Sequence, residues 1–420
     1  MARPYICLLA LAAVLLLGIA TISRSRGLRD KAHQSAPRIP SQFSQEERVA
    51  MKEALKAPHS PYKELRENIF PTVFKTSFIR HEVVGEYSHL FTVHGSDPSL
   101  QPYMLLAHID VVPAPDEGWD VPPFSGLERN GFIYGRGTID NKNSLMGILQ
   151  ALELLLIRNY IPRRSFFIAL GHDEEVMGVN GAQKISALLQ ARGVQLAFIV
   201  DEGSFIFDGF IPGLKNPFAM VAVSQKGLIN LMLQVNTTPG HSSAPPKETS
   251  IGILAAAKNY IHSLKYVNVI PAVAQAIVNF RIHPAQTVQE VLKLAKDIVA
   301  DDRVQFHVLN AFDPPPISPY DDQALGYQLL RQTIQSVFPE INIVVPGTCV
   351  GNTDSRHYSN LTTGIYLFNP LYLQPQSFRF VHGINERISV QAYERQVKFI
   401  FEFIQNADTD PKPVPHLHEL

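Results

Sequence analysis

The sequence has little cysteine and almost no net charge. Its only cysteines are Cys7 and Cys349, and Cys7 lies in an apolar leader that we expect to be removed, so the mature chain has no pair for an internal disulfide. A hydrophobic core must then stabilise the fold, which a chain of 420 residues with 45% hydrophobic content can supply. The formal net charge of −1 excludes an electrostatic basis for binding nucleic acid, since basic residues are needed to neutralise phosphates.

The first residues predict the compartment. Arg3 precedes an apolar run over residues 6–22, which is typical of a secretory signal peptide. We interpret residues 1–24 as this signal and expect a secreted, extracellular protein, although the length of the run also fits a signal anchor. The triplets that begin at Asn236 and Asn360 are then candidate glycosylation sites, while such triplets also arise by chance.

Acidic and imidazole side chains follow several apolar runs at the point where each run ends. Three strand-like runs lead directly into His108-Ile109-Asp110, His172-Asp173-Glu174-Glu175 and Asp201-Glu202. A glycine-rich turn places Asp140 just before a helical pattern, and His382 adds one more imidazole downstream. In an open α/β sheet, ligands bind at the carboxyl ends of the strands. Each feature alone has an ordinary reading, as a surface histidine, a solvated acidic pair or a turn cap, but their repeated placement favours one site.

These residue types are the ligands of a two-zinc site. Two metals about 4 Å apart need one bridging carboxylate and two further ligands each, and the chain offers such a set in His108, Asp140, Glu175, Asp201 and His382. Glu174 is then free to act as the general base that takes a proton from water and passes it to the leaving amine. Asp110, two residues after His108, would lie on the same side of an extended segment and orient that imidazole.

The periodicity predicts two kinds of domain. After a helix over residues 41–57, capped by Ser44, and a strand segment over 70–84, strand and helix patterns alternate as in an α/β domain. A strand–helix–strand–helix–strand pattern follows, which predicts a small inserted α+β domain, with only residues 265–270 available for a fourth strand. We predict a signal peptide at 1–24, a catalytic domain at 40–225 and 341–407, an inserted lid or dimerisation domain at 226–340, and a polar tail at 408–420.

Over residues 40–407 these motifs resemble the family of two-zinc amidohydrolases that includes aminoacylases, carboxypeptidase S and acetylornithine deacetylases. The motifs, in family order, start at His108 (HIDVVP), Gly135 (GRGTIDNK), Asp173 (DEE), Asp201 (DEG), Gly240 (GHSSAP) and Asn352 (NTDSR). The resemblance implies an α/β zinc-peptidase-like domain with a mixed sheet and a ferredoxin-like lid. It also implies that His108 and Asp201 hold one zinc, that Glu175 and His382 hold the other, and that Asp140 bridges the two.

The resemblance implies further roles and a substrate class. His241 on the lid would stabilise the oxyanion, and Asn279 and Arg356 would hold the substrate's carboxylate or carbonyl. Longer stretches of the sequence resemble enzymes that act on N-fatty-acyl amino acids. This resemblance implies that the small-molecule substrate is an N-acyl amino acid, or a fatty acid and an amino acid in the reverse reaction. The lid would also mediate a homodimer.

Two departures leave alternatives open. The chain looks shorter than its relatives near Ala57 and near Lys258, which affects the lid and the acyl pocket but not the ligands. One alternative is therefore a secreted dipeptidase or carboxypeptidase of the same family, and another is an inactive, shortened variant. Comparing hydrolysis of an N-acyl amino acid with that of dipeptides separates these hypotheses.

Overall fold

The chain folds into two compact units. The computed structural model describes residues 38–56, 68–241, 246–256 and 269–409, so the predicted signal peptide and most of the polar tail lie outside the described residues. The larger unit comprises the described residues up to Val223, Ser318–Cys349 and those from Thr353 onward, and the smaller unit comprises those of Ser224–Ile317 with Val350–Asn352. The small unit thus ends before the predicted boundary at residue 340, because residues 325–337 form a helix whose apolar face packs in the core of the larger unit.

The helices and strands are numbered along the described chain. The helices are α1 (Gln45–Lys56), α2 (Pro71–Lys75), α3 (Lys142–Ile157), α4 (Ala182–Ala191), α5 (Ser250–Ala256), α6 (Val288–Val299), α7 (Leu325–Val337) and α8 (Val390–Ala407). Short 3-10 turns cover Glu174–Val176, Asp354–Tyr358 and Phe378–Phe380.

The strands are β1 (Ile79–Val84), β2 (Ser88–Val93), β3 (Tyr103–His108), β4 (Glu128–Arg129), β5 (Phe132–Tyr134), β6 (Phe166–Gly171), β7 (Ile199–Asp201), β8 (Ile206–Phe207), β9 (Phe218–Gln225), β10 (Gly227–Asn236), β11 (Gly240–His241), β12 (Val269–Ile270), β13 (Val273–Ile282), β14 (Val304–Phe312), β15 (Val344–Cys349), β16 (Ile365–Leu367), β17 (Tyr372–Leu373) and β18 (Arg387–Ser389).

The larger unit is built on a mixed sheet, as predicted. Its strand order is β1-β2-β6-β3-β7-β16-β9-β8-β17, with β15 beside β9. The four central strands β6, β3, β7 and β16 run parallel to one another, whereas β2 and β9 on either side of them run antiparallel. His108 stands opposite Gly171 in the register of β3 and β6. Because parallel strands end at the same edge, the polar residues that follow β3, β6 and β7 meet there.

The central helix α3 is more buried than an amphipathic pattern predicts. Fifteen of its sixteen residues are buried, because the helix packs against α1, α2, α8 and strand β3. A helix that is buried on all sides belongs to the core of a large unit. It anchors the loop before it, which carries Asp140.

One predicted strand begins later than expected. Residues 70–84 were predicted to be extended, but the structure forms α2 first and starts β1 at Ile79. Pro71 stands in the first turn, where it needs no hydrogen-bond acceptor for its nitrogen. The buried Glu153 carboxylate accepts hydrogen bonds from the backbone N–H groups of Thr72 (2.9 Å) and Val73 (2.8 Å). This distant cap stabilises the helix N-terminus, and no local pattern predicts it.

The small unit contains an antiparallel sheet in the order β13-β10-β14, with α5 and α6 packed on one face. The segment 265–270, the only candidate for a fourth strand, lies outside the described residues up to 268. Its last two residues form β12, which pairs with β11 and not with the β13-β10-β14 sheet. None of the helices in the described part of the chain has the length and hydropathy that a membrane span needs.

Candidate metal centre

His108 and Asp140 lie together at the carboxyl edge of the central strands. His108 ends β3 and is only 1% exposed. Its Nε2 lies 3.0 Å from Oδ1 of Asp140 and 3.1 Å from Oε1 of Glu202. We call this group of His108, Glu202 and Oδ1 of Asp140 the buried end of the centre.

The second oxygen of Asp140 faces a different pair of side chains. Nε2 of His382 lies 2.9 Å from Oδ2 of Asp140 and 3.2 Å from Oε1 of Glu175. The His382 side chain is 50% exposed, so we call this group the open end. One carboxylate therefore stands between two pairs of one imidazole and one further carboxylate, which is the arrangement of a bridging ligand.

The carboxylate at the buried end belongs to Glu202 and not to the predicted Asp201. Adjacent residues at a strand end point to opposite sides, so only one of the two can face His108. The oxygens of Asp201 accept hydrogen bonds from the backbone N–H groups of Glu202 (2.9 Å) and Ser355 (3.1 Å). Asp201 thus fixes the local backbone, and the longer Glu202 side chain reaches the imidazole.

Glu386 holds the loop that carries Asp140. This fully buried carboxylate accepts hydrogen bonds from the backbone N–H groups of Gly137 (3.0 Å), Ile139 (2.7 Å) and Asp140 (3.2 Å). The guanidinium of Arg136 donates to it at 2.6 Å. The bridging carboxylate is therefore presented by a loop whose backbone is held in place by Glu386.

Asp110 holds both the first imidazole and the turn that carries the acidic pair. Nδ1 of His108 lies 2.9 Å from the backbone carbonyl oxygen of Asp110 and 3.3 Å from its Oδ1. The two carboxylate oxygens of Asp110 also accept hydrogen bonds from the backbone N–H groups of Glu174 (3.1 Å) and Glu175 (3.0 Å). Asp110 thereby couples the orientation of His108 to the position of the neighbouring carboxylates.

Burial and charge crowding perturb the ligands strongly. Burial, and after it the charge of Asp140, raises the pKa of Glu202 well above its usual range. Burial alone would lower the pKa of His108, but Glu202, Asp110 and Asp140 hold it well above its usual range. Hydrogen bonds to Asp140 and Glu175 raise the pKa of His382 to about 10. The carboxylates of the cluster thus favour the charged form of both imidazoles.

Glu174 lies beside this cluster, and its pKa is raised into the range that suits a general base. Burial raises the pKa of Glu174 to about 8, and the charges of Asp354 and Glu175 add to that effect, while His108 opposes it. The guanidinium Nη1 of Arg356 lies 3.8 Å from Oε1 of Glu174 and donates to the carbonyl oxygen of Thr353 at 2.8 Å. The Arg356 side chain is only 7% exposed, and its predicted contact with the substrate stays a prediction.

The donor set fits divalent metal ions. Three overlapping groups of side chains could each hold a cation, namely His108 with Glu174 and Glu175, His108 with Asp140 and Glu202, and Asp140 with Glu175 and His382. Oε1 of Glu175 is buried and lies 3.2 Å from Nε2 of His382, so this oxygen points into the cluster. Imidazole and carboxylate ligands suit zinc.

Two predicted site residues lie in the small unit. His241 ends the two-residue strand β11, and its side chain lies outside the described part of the structure, so its role stays a prediction. Asn279 is exposed on β13, where its amide donates to Oδ1 of Asn230 (2.6 Å) and accepts from Nε of Arg281 (3.1 Å). Its amide is thus used within the sheet of the small unit.

Sequence reasoning missed Glu202 and Glu386. Glu202 was named only as the neighbour of Asp201. The longer side chain of glutamate at a strand end is the signal that distinguishes the ligand from its neighbour. Glu386 follows His382 by four residues, but its task is to accept backbone N–H groups. A residue that accepts backbone N–H groups of a distant loop has no characteristic spacing in the sequence, so it could not be predicted.

The chain matches the model of "Peptidase family M20/M25/M40" over residues 104–406. It is 68% identical to a Bos taurus protein named N-fatty-acyl-amino acid synthase/hydrolase PM20D1 and 60% identical to the Homo sapiens protein of that name, and each alignment covers all of both chains. Both alignments run over 503 positions, whereas this chain has 420 residues. Many aligned positions therefore hold no residue of this chain, in line with its expected shortness.

The fold is also similar to solved structures. The crystal structure of human carnosine dipeptidase 1 superposes with a TM-score of 0.64 at 16% identity, covering 86% of this chain and 96% of that one. At this identity the likeness shows the fold alone.

Proposed function

The chain belongs to the peptidase family M20/M25/M40, and we propose on this premise that it is a zinc-dependent amidohydrolase that cleaves, and in reverse forms, the amide bond of N-fatty-acyl amino acids. It is a metal-dependent amide hydrolase by family, and the names of relatives 68% and 60% identical to it support the substrate class. The observation that carries the two-zinc proposal is Asp140, whose two oxygens face separate histidine–carboxylate pairs.

The protein would hold one zinc at each end of Asp140. His108 and Glu202 would complete the buried end, and Glu175 and His382 the open end. Zinc ions there would polarise the amide carbonyl and lower the pKa of a water molecule. Neighbouring cations favour the ionised form of a carboxyl group, so the pKa of Glu174 would be lower than about 8 in the zinc-loaded protein.

Glu174 would then move the proton. As a carboxylate it takes a proton from the attacking water, and as a carboxylic acid it gives that proton to the nitrogen of the leaving amino acid. Arg356 and Asp110 keep its side chain and its backbone in place. We further propose, on the family motif alone, that His241 donates a hydrogen bond to the oxyanion.

Purified protein tests the proposal with two substrates. With two zincs per chain, it should release oleate from N-oleoyl-phenylalanine far faster than it cleaves simple dipeptides. Faster dipeptide cleavage would instead make it a dipeptidase or carboxypeptidase of the same family. Two zincs with no turnover on either substrate would identify an inactive, shortened variant.

We also propose that the protein is secreted and glycosylated. The signal-like residues 1–24 support secretion, and both Asn236 and Asn360 are exposed. Expression in mammalian cells should deliver the chain to the medium with a mass that falls on glycosidase treatment. Retention in the cells would contradict this proposal.

A homodimer through the small unit is the remaining proposal. The family resemblance supports it, and light scattering of the purified chain tests it. A mass of twice that of the chain is expected, whereas a monomer at high protein concentration would contradict it.

A further inference from the structure

Asp354 is a buried carboxylate that the proposed mechanism does not use. Its residue is 5% exposed, and neither Oδ1 nor Oδ2 accepts a hydrogen bond from the protein as described. A buried polar group without a donor is costly and uncommon in native proteins. Its place in the fold should therefore have a reason.

Two glycines make room for this side chain. A Cβ atom built on Gly171 would lie 2.2 Å from Oδ2 of Asp354, and one built on Gly178 would lie 2.2 Å from Oδ1. Both distances are far shorter than any real contact of a Cβ atom. At Gly171 the next nearest atom outside Asp354 is the backbone nitrogen of Ala182, at 3.9 Å. The Asp354 carboxyl group thus occupies the volume that a larger residue would need at either position.

These glycines are the first and last residues of the segment 171–178, which we call the carboxylate loop. It carries Glu174 and Glu175. The short helix that begins with Asp354 also touches the loop through His357, whose Nε2 lies 2.9 Å from the carbonyl oxygen of Met177. Asp354 is therefore wedged against both ends of the loop that presents the base and one metal ligand.

We propose that Asp354 is a positioning residue, which fixes the two ends of the carboxylate loop by filling the space at Gly171 and Gly178 and so sets the place of Glu174 and Glu175. The inference rests on the proposed function only in the roles of those two glutamates. In this proposal Asp354 acts by its shape, which holds the loop, and through the two glutamates that the loop carries.

Paired substitutions test whether Asp354 fills the space beside Gly171. Gly171→Ala should lower both the Tm of the zinc-free protein and the zinc content, because the new Cβ has no room. In Gly171→Ala/Asp354→Ala the clash is gone, so both readouts should recover to the level of Asp354→Ala alone. Such non-additivity is expected only for residues in contact. Additive losses would overturn the proposal.

Kinetics separate positioning from mere stability. Asp354→Ala should lower kcat about 10- to 100-fold with KM unchanged, since a small misplacement of a catalytic group has that effect. Asp354→Asn has the same shape and should stay close to wild type. Wild-type kcat in Asp354→Ala, or a loss in Asp354→Asn equal to that in Asp354→Ala, would overturn the spatial role.

A matched glycine provides the control. A Cβ atom at Gly364 would meet its nearest neighbours at 3.4 Å, so Gly364→Ala should be tolerated and should combine additively with Asp354→Ala. The two proposals can fail independently. If the wild type does not hydrolyse the substrate, the proposed function is wrong. The Tm of the zinc-free variants tests the positioning role of Asp354 whatever the substrate is.

Discussion

The two ends of Asp140 use the same kinds of donor but differ in their enclosure. At the buried end, His108 is 1% exposed and Asp110 fixes its second ring nitrogen. At the open end, His382 is 50% exposed and lies on a loop with a left-handed backbone (φ 58°). If each end binds a zinc ion as proposed, the buried end would hold it more tightly, because its ligands are pre-positioned, and exchange and substrate entry would take place at the open end.

Replacing Asp140, the carboxylate that both ends share, should have the largest effect on the site. Asp140→Asn should lower zinc content at both ends and reduce turnover by more than about 1,000-fold, since several kcal/mol of charge stabilisation disappear with the metals. Zinc analysis and the fatty-acid release assay measure this. Asp116→Asn, an exposed aspartate outside the cluster, is the control and should retain both properties. If Asp140→Asn keeps two zincs, Asp140 is not the bridge.

Glu174→Gln should lower turnover while leaving both ends intact. We expect a loss of about 100- to 10,000-fold, the range for a general acid–base, with two zincs retained. Measuring kcat and zinc content on the same preparation checks this. Full activity in Glu174→Gln would rule out its role as the base.

The buried end is tested by comparing two neighbouring carboxylates. Glu202→Gln should lose the zinc at the buried end and most of the activity. Asp201→Asn should keep both zincs and lose about tenfold at most, the lower end of the effect for a supporting group, since an amide oxygen can still accept one backbone hydrogen bond. Zinc content decides between them. The opposite order would return the ligand role to Asp201.

The smallest expected effect is a pH dependence of the zinc-free protein. The pKa of His382 is raised to about 10 by Asp140 and Glu175, so its charged form stabilises the fold fully below its unfolded pKa of about 6.5. That stabilisation is lost as the pH rises from there through about 10. The Tm of the EDTA-treated protein should therefore fall less over this window in His382→Gln than in wild type. Equal slopes would contradict the raised pKa.

The sequence predicted most of the candidate metal ligands but not the residues that hold the surrounding loops and helices in place. His108 and Glu175 are brought together because polar residues at the ends of parallel strands share one edge, and Asp140 and His382 reach the same edge on loops. The choice between Asp201 and Glu202 depends on side-chain direction at a strand end, which periodicity does not resolve.

The supports depend on contacts between residues distant in sequence. Glu386 acts on the backbone of the Asp140 loop, and Glu153 caps a helix some 80 residues away. The end of the small unit was misplaced for the same reason, since α7 joins the larger unit through its buried apolar face. Such partners become visible only when the fold is known.

Anomalous diffraction at the zinc edge from crystals of the zinc-loaded protein tests the central claim most directly. The account predicts two peaks about 4 Å apart on either side of Asp140. One peak should lie about 2.0–2.2 Å from His108 Nε2 and a Glu202 oxygen, and the other equally near His382 and Glu175. A single peak, or a peak bound by Asp201 with Glu202 unligated, would contradict it.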